Sequence, residues 1–204
     1  MRAHVLITDK ETHNTVVENG FWAIKLPDKW KYKPSTYSDL LNYQKENPRK
    51  PIIGMIGDSL GTRVGDIVFL YERQVGFHGI YKVKSKPFFD ITTFGKIDNQ
   101  FPIRIEIECL NYFKVLVPEG MLFSTKEYES KFWSWFYRKI QGARGVNTIN
   151  PEAAQALIGL LVKLNGNEVS KPKNLKQYRS LNKTAIYLPI GDNIAVDIED
   201  ILRA

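Results

Sequence analysis

The sequence predicts an α+β fold from three observations. First, Ile67-Val68-Phe69-Leu70-Tyr71 and Phe77–Ser85 are strand-like runs separated by a turn, the second ending at Pro87. Second, Ile103–Leu110 alternates strictly, with Ile103, Ile105, Ile107 and Cys109 on one side and Arg104, Glu106 and Glu108 on the other. Third, residues 151–164 carry an apolar stripe at helical spacing: Ala154, Leu157, Ile158, Leu161 and Leu164.

The remaining elements follow in chain order. Residues 3–8 read as a first strand ending at Asp9. Asp9 to Asn19 is polar, with a short helix expected around Thr15–Glu18 and a break at Gly20. Phe21–Ile24 reads as a second extended segment, stopped by Pro27. Ser38 can cap a short helix over 38–44. The aromatic run Phe132-Trp133-Ser134-Trp135-Phe136-Tyr137 lies in a segment spanning 125–140, and Gly142 and Gly145 interrupt it. Asn150, Pro151 and Glu152 supply the cap, the first-turn proline and the acidic group that favour a helix start.

At Asn165 the composition changes. Residues 165–184 hold five Lys/Arg against one Glu and read as a basic linker. Residues 185–204 read as an extra strand or the start of a second domain. The expected domain therefore occupies 1–164.

The chain of 204 residues carries 29 Lys+Arg against 22 Asp+Glu, a net +7, and 12% of it is aromatic. That balance weakly favours a polyanionic partner. Aromatic rings among basic residues suit base stacking beside phosphate contacts, and equally a plain aromatic core. A single cysteine, Cys109, excludes an internal disulfide framework and a multi-cysteine zinc site. His4, His13 and His78 lie far apart and lack the spacing of a helical metal site, so no metal or other cofactor is expected. No signal peptide or transmembrane run is read, and a cytoplasmic protein without a membrane partner is expected.

Chemistry-bearing patterns are scarce. Gly57-x-x-x-Gly61 is not followed by the Lys-Ser/Thr of a phosphate-binding loop. Glu106 and Glu108 share a strand face without the further acid and lysine of a metal nuclease. The expectation is binding rather than catalysis.

Several segments taken in order do resemble one family. They are Gly20-Phe21-Trp22, Val64–Tyr71, Gly79–Asp90, Phe101–Ile107 and Phe132–Arg138, followed by Gly142, Pro151 and the last helix. Together they resemble an EVE domain of the PUA-like superfamily, akin to the YTH domain. The resemblance implies a strongly curved mixed β-sheet or small barrel flanked by helices. It implies a reader that flips a modified base, N6-methylated adenine of DNA foremost, into an aromatic pocket. The N-terminal domain of archaeal McrB-like restriction proteins is the nearest picture. It would make this chain a recognition module partnered by an AAA+ motor domain and a nuclease subunit. The alternative is a PUA-like module that recognises modified RNA or tRNA.

The resemblance also nominates residues. Trp22 matches one wall of the base cage, and Phe88 or Phe89 is the candidate second wall. Asp90 follows, and can accept from a base amine or cap a turn. Trp133 is placed at the pocket, the nucleic acid or the core. For the backbone, Lys82, Lys84 and Lys86 alternate along one strand face, either tracking phosphates or meeting solvent. Arg138, Lys139 and Arg144 surround the flexible Gln141-Gly142-Ala143.

Overall fold

A computed structural model of the chain describes residues 2–26, 42, 45–46, 57–136, 145–166, 169–170, 183–185, 187–190 and 194–197. Its centre is a mixed sheet of nine strands with helices around it. Strand β1 (Ala3–Thr8) runs parallel to β3 (Ile67–Glu72), with Val5 beside Phe69. On its other side β1 pairs antiparallel with β7 (Val146–Ile149). Strands β3 and β4 (Gly76–Val83) form the hairpin that the two runs around Glu72–Gly76 predict, with a register shift at Leu70/Tyr71.

The sixteen-residue β6 (Ile103–Pro118) makes the sheet curl. Its first residues pair with β2 (Phe21–Ile24) on one side and with β5 (Phe88–Phe89) on the other. From Ile107 onward it pairs with β4 instead, through two further register shifts. One strand thus belongs to two parts of the sheet, and bulges of this kind bend and twist it.

Helix α1 (Lys10–Asn19) starts five residues earlier than expected. Its buried face is Thr12, His13, Val16 and Val17, half of it polar, so apolar periodicity alone does not reveal it. Asp9 and Thr12 exchange contacts at the first turn, and Gly20 closes the helix at φ 66°, a left-handed conformation that favours glycine. Helix α2 (Lys126–Trp135) is capped by Thr125, whose hydroxyl accepts from the Tyr128 amide. Helix α3 (Pro151–Asn165) is capped as predicted, the Asn150 side chain accepting from the Ala153 amide at 2.7 Å. Its buried stripe includes Leu160 rather than Ile158, which is exposed.

Alternation along the strands divides the core in two. Leu6, Val68 and Leu70 join a cluster that contains Phe21, Trp22 and Phe89. Val5, Ile7, Phe69 and Tyr71 join the opposite cluster, with Phe132 and the apolar face of α3. Part of the stretch read as a basic linker is tied to the sheet. Strand β8 (Val169–Ser170) pairs with β6, and β9 (Thr184–Ala185) pairs with β5. Beyond it, β10 (Tyr187–Ile190) and β11 (Ile194–Asp197) form a separate hairpin. The short helix read over 38–44 lies outside the described residues except at Asn42. Among the described residues no helix is long and apolar enough to cross a membrane.

Candidate functional site

A cavity of about 250 Å³ opens where α1, β1 and β2 meet. It is smaller than the roughly 300–1,000 Å³ of drug-sized ligand sites and suits a single planar ring system. Trp22, Phe101, Ile97 and Ile7 give it aromatic and apolar lining. Thr8, Asp9, Thr12, Lys25 and Arg73 give it polar lining. The Arg73 Nε stands 3.4 Å from the Asp9 Oδ1, and both side chains are about half exposed, at 48%.

Trp22 is held on three sides. It is only 1% exposed, its indole N–H donates to the Ile7 carbonyl at 2.8 Å, and Gly145 lies against the six-membered ring. A Cβ added at Gly145 would stand 2.8 Å and 2.9 Å from two ring carbons, so the glycine allows the close approach. The indole is both a core residue and a fixed part of the cavity lining.

The other nominated residues lie elsewhere. Phe88 and Phe89 are both buried, and neither lines this cavity. Strand neighbours alternate between the two faces, yet both rings are buried and join the same core cluster. Asp90 is fully buried and serves the interior. Its Oδ1 accepts from the Thr92 amide at 2.7 Å and lies 3.9 Å from the Arg104 Nη1. Trp133 stands 53% exposed on α2, edge-on to Phe123, and lines a shallow depression with Lys126, Glu129 and Ser130. Helix α2 therefore takes it out of the core, and it does not line the Trp22 cavity. Lys82, Lys84 and Lys86 are all exposed, with Lys84 3.3 Å from Glu108. Arg138, Lys139 and Arg144 lie outside the described residues.

Arg104, read on the face of β6 opposite Ile103 and Ile105, is fully buried. Its Nε donates to the Phe101 carbonyl at 2.9 Å and its Nη2 to the Thr92 carbonyl at 2.6 Å. Its guanidinium stands over the rings of Phe21 and Phe94, 5.2 Å and 5.5 Å from their centroids. Strand alternation assigns it to the face opposite Ile103 and Ile105. It cannot say that this face is covered too, here by the turns at 92–101.

The fold also joins two distant histidines. His13 on α1 and His78 on β4 have ring centroids 4.3 Å apart, and Glu72 at the end of β3 completes the group. The His78 Nε2 lies 2.8 Å from a Glu72 carboxylate oxygen, without a well-directed hydrogen bond. Burial, then the neighbouring His78, pushes the His13 pKa down to about 4. Burial lowers His78 as well, against the opposing pull of Glu72. Tyr112 stacks near-parallel to His78 with ring centroids 6.4 Å apart, and burial raises its pKa.

Sequence reasoning missed Phe101, Lys25, Arg73 and Thr12 as cavity residues. Phe101 and Arg73 sit in turns with no periodic pattern, and only the fold brings them to Trp22.

No family model and no curated protein matches the sequence. Solved structures share its architecture. A hypothetical protein from Leishmania major aligns over 80% of this chain and 96% of its own, with 9% identity and a TM-score of 0.50. Human THYN1, solved in complex with 5-methylcytosine-containing DNA, aligns over 82% of this chain and 99% of its own at 12% identity and a TM-score of 0.47. The Mmi1 YTH domain aligns over 80% of this chain and 76% of its own at 12% identity and a TM-score of 0.43. The α+β class and the curled mixed sheet flanked by helices are as the sequence predicts.

Proposed function

We propose that the chain is a nucleic-acid reader that takes one modified base, extruded from the stack, into the cavity beside Trp22. The observation that carries this reading is the cavity itself. It is sized for one ring system, has a rigidly held indole and Phe101 among its apolar lining, and has polar side chains at Thr8, Asp9 and Thr12, of which the Asp9 carboxylate is an acceptor. A reader must supply stacking surface, worth roughly 1–3 kcal/mol per base, against the few kcal/mol that extrusion costs. It must also supply polar groups for the base edge. Arg73 and Lys25 line the same cavity, where a flipped nucleotide would bring its phosphate. The exposed lysines 82, 84 and 86 offer sequence-independent backbone contacts.

The base proposed is N6-methyladenine in DNA, and the setting is the recognition module of a modification-dependent restriction complex with an AAA+ motor and a nuclease. This rests on the resemblance to EVE and YTH-like readers and on the fit of an N-methylated purine to an aromatic lining. The chain itself is proposed to bind rather than cleave.

Fluorescence anisotropy at one fixed salt concentration tests the reading. The probes are duplexes carrying no modification, N6-methyladenine or 5-methylcytosine, with a matched methylated RNA as competitor. Preference for the N6-methyladenine duplex is expected. Preference for 5-methylcytosine would correct the base, and preference for the RNA would turn the assignment to modified RNA. Equal binding to all probes would sink it.

A further inference from the structure

We infer that His13, Glu72 and His78 form a binding site for one divalent transition-metal ion of the zinc class. The three side chains come from α1, the end of β3 and β4, and their potential ligand atoms all lie within 4.8 Å of one another. Bonds of about 2.0–2.2 Å in tetrahedral array need donor atoms roughly 3.4 Å apart, a contraction that side-chain rotation supplies. Two imidazoles and one carboxylate form a donor set suited to zinc and its neighbours rather than to magnesium or calcium, which take oxygen ligands.

The orientation of His13 is the second, independent observation. The Thr8 hydroxyl lies 2.8 Å from the His13 Nδ1 and 3.3 Å from the Tyr71 carbonyl. With the hydroxyl proton on that carbonyl, its oxygen accepts from Nδ1–H and the lone pair falls on Nε2, the tautomer a metal ion at Nε2 requires. This is the outer hydrogen bond that orients a metal-binding histidine. The Nε2 so exposed is buried, in a side chain only 3% exposed, and has no hydrogen-bond partner among the described residues. A buried polar atom left unpaired is costly, and a metal ion would satisfy it. The His78 Nε2 faces the Glu72 carboxylate at 2.8 Å, so these two donor atoms already lie side by side. With three protein ligands, a zinc ion would keep an open position for water or a further ligand.

The site is separate from the base cavity but adjoins it, since Thr8 lines the cavity and orients His13. An ion there would tie α1 to the β3–β4 hairpin and stiffen that wall.

The test is zinc uptake by the chelator-stripped full chain, measured by equilibrium dialysis and metal analysis, with cobalt(II) absorption as the reporter of coordination. One zinc per chain is expected, with a rise in melting temperature that magnesium does not reproduce. Glu72→Gln weakens uptake at least about tenfold, and His13→Phe abolishes it and the cobalt spectrum. Glu72→Gln is the safer variant for folding, because Glu72 lies at a strand end. No stoichiometric uptake, or uptake unchanged in both variants, overturns the assignment.

Discussion

Replacing Arg104 by leucine tests how the curled sheet is held together. The substitution removes the donors to the Phe101 and Thr92 carbonyls and the cation beside Asp90, all in a fully buried setting. A buried carbonyl left unpaired costs about 1–3 kcal/mol. Breaking a buried ion pair from one side costs about 3–5 kcal/mol, because the remaining charge stays in the interior. These losses overlap, so Arg104→Leu is expected to cost about 3–5 kcal/mol in total. With a urea dependence of roughly 2 kcal/mol per molar, the unfolding midpoint falls by about 1.5–2.5 M. Adding Asp90→Leu removes the stranded carboxylate and recovers part of the loss. Lys84→Ala, which breaks the half-exposed contact with Glu108, costs less than about 1 kcal/mol and moves the midpoint by less than about 0.5 M in the same assay. A loss below 1 kcal/mol for Arg104→Leu would refute the view that this guanidinium holds the β5–β6 region together.

Three further expectations follow from the geometry. Gly145→Ala forces a methyl group into the Trp22 ring, so thermal unfolding should show about 1–3 kcal/mol of destabilisation, and methylated-duplex binding should weaken with it. In metal-stripped protein, folded His13 stays neutral down to about pH 4 while the unfolded chain takes up its proton below about 6.5. Stability from this group is therefore full above pH 6.5 and falls by about 3 kcal/mol towards pH 4, and His13→Gln should lack that increment in urea titrations across the range. Changing Lys82, Lys84 and Lys86 to glutamine should weaken methylated and unmethylated duplexes alike and flatten the salt dependence by up to about 0.9 per lost phosphate contact.

The strands and α3 were legible because their signals are local. Ile67–Tyr71 and Ile103–Leu110 declare their periodicity, and Asn150-Pro151 declares a helix start. Helix α1 was not, because Thr12 and His13 occupy half of its buried face, and a buried polar residue looks exposed until its partner is known. Arg104 failed for the same reason, since its partners are carbonyls 3 and 12 residues away in turns. Of the candidate site, Trp22 was legible by position. Phe88, Phe89 and Asp90 were nominated by the same resemblance but sit in the interior near Arg104. Phe101 and Arg73 reach the cavity only through the folded topology. The His13–His78 contact spans helix and hairpin and leaves no trace in spacing.

The central claim is that a methylated base enters the cavity beside Trp22. Its most direct test is the ratio of affinities for N6-methyladenine and unmodified duplexes, measured for the native chain and for Val16→Phe, which fills the cavity from α1. A methyl group recognised in an apolar pocket is worth about 1–3 kcal/mol, so the native ratio should lie between tenfold and about 200-fold. Val16→Phe should bring it to one while salt-dependent binding persists. A native ratio of one, or a ratio that Val16→Phe leaves unchanged, would contradict the account.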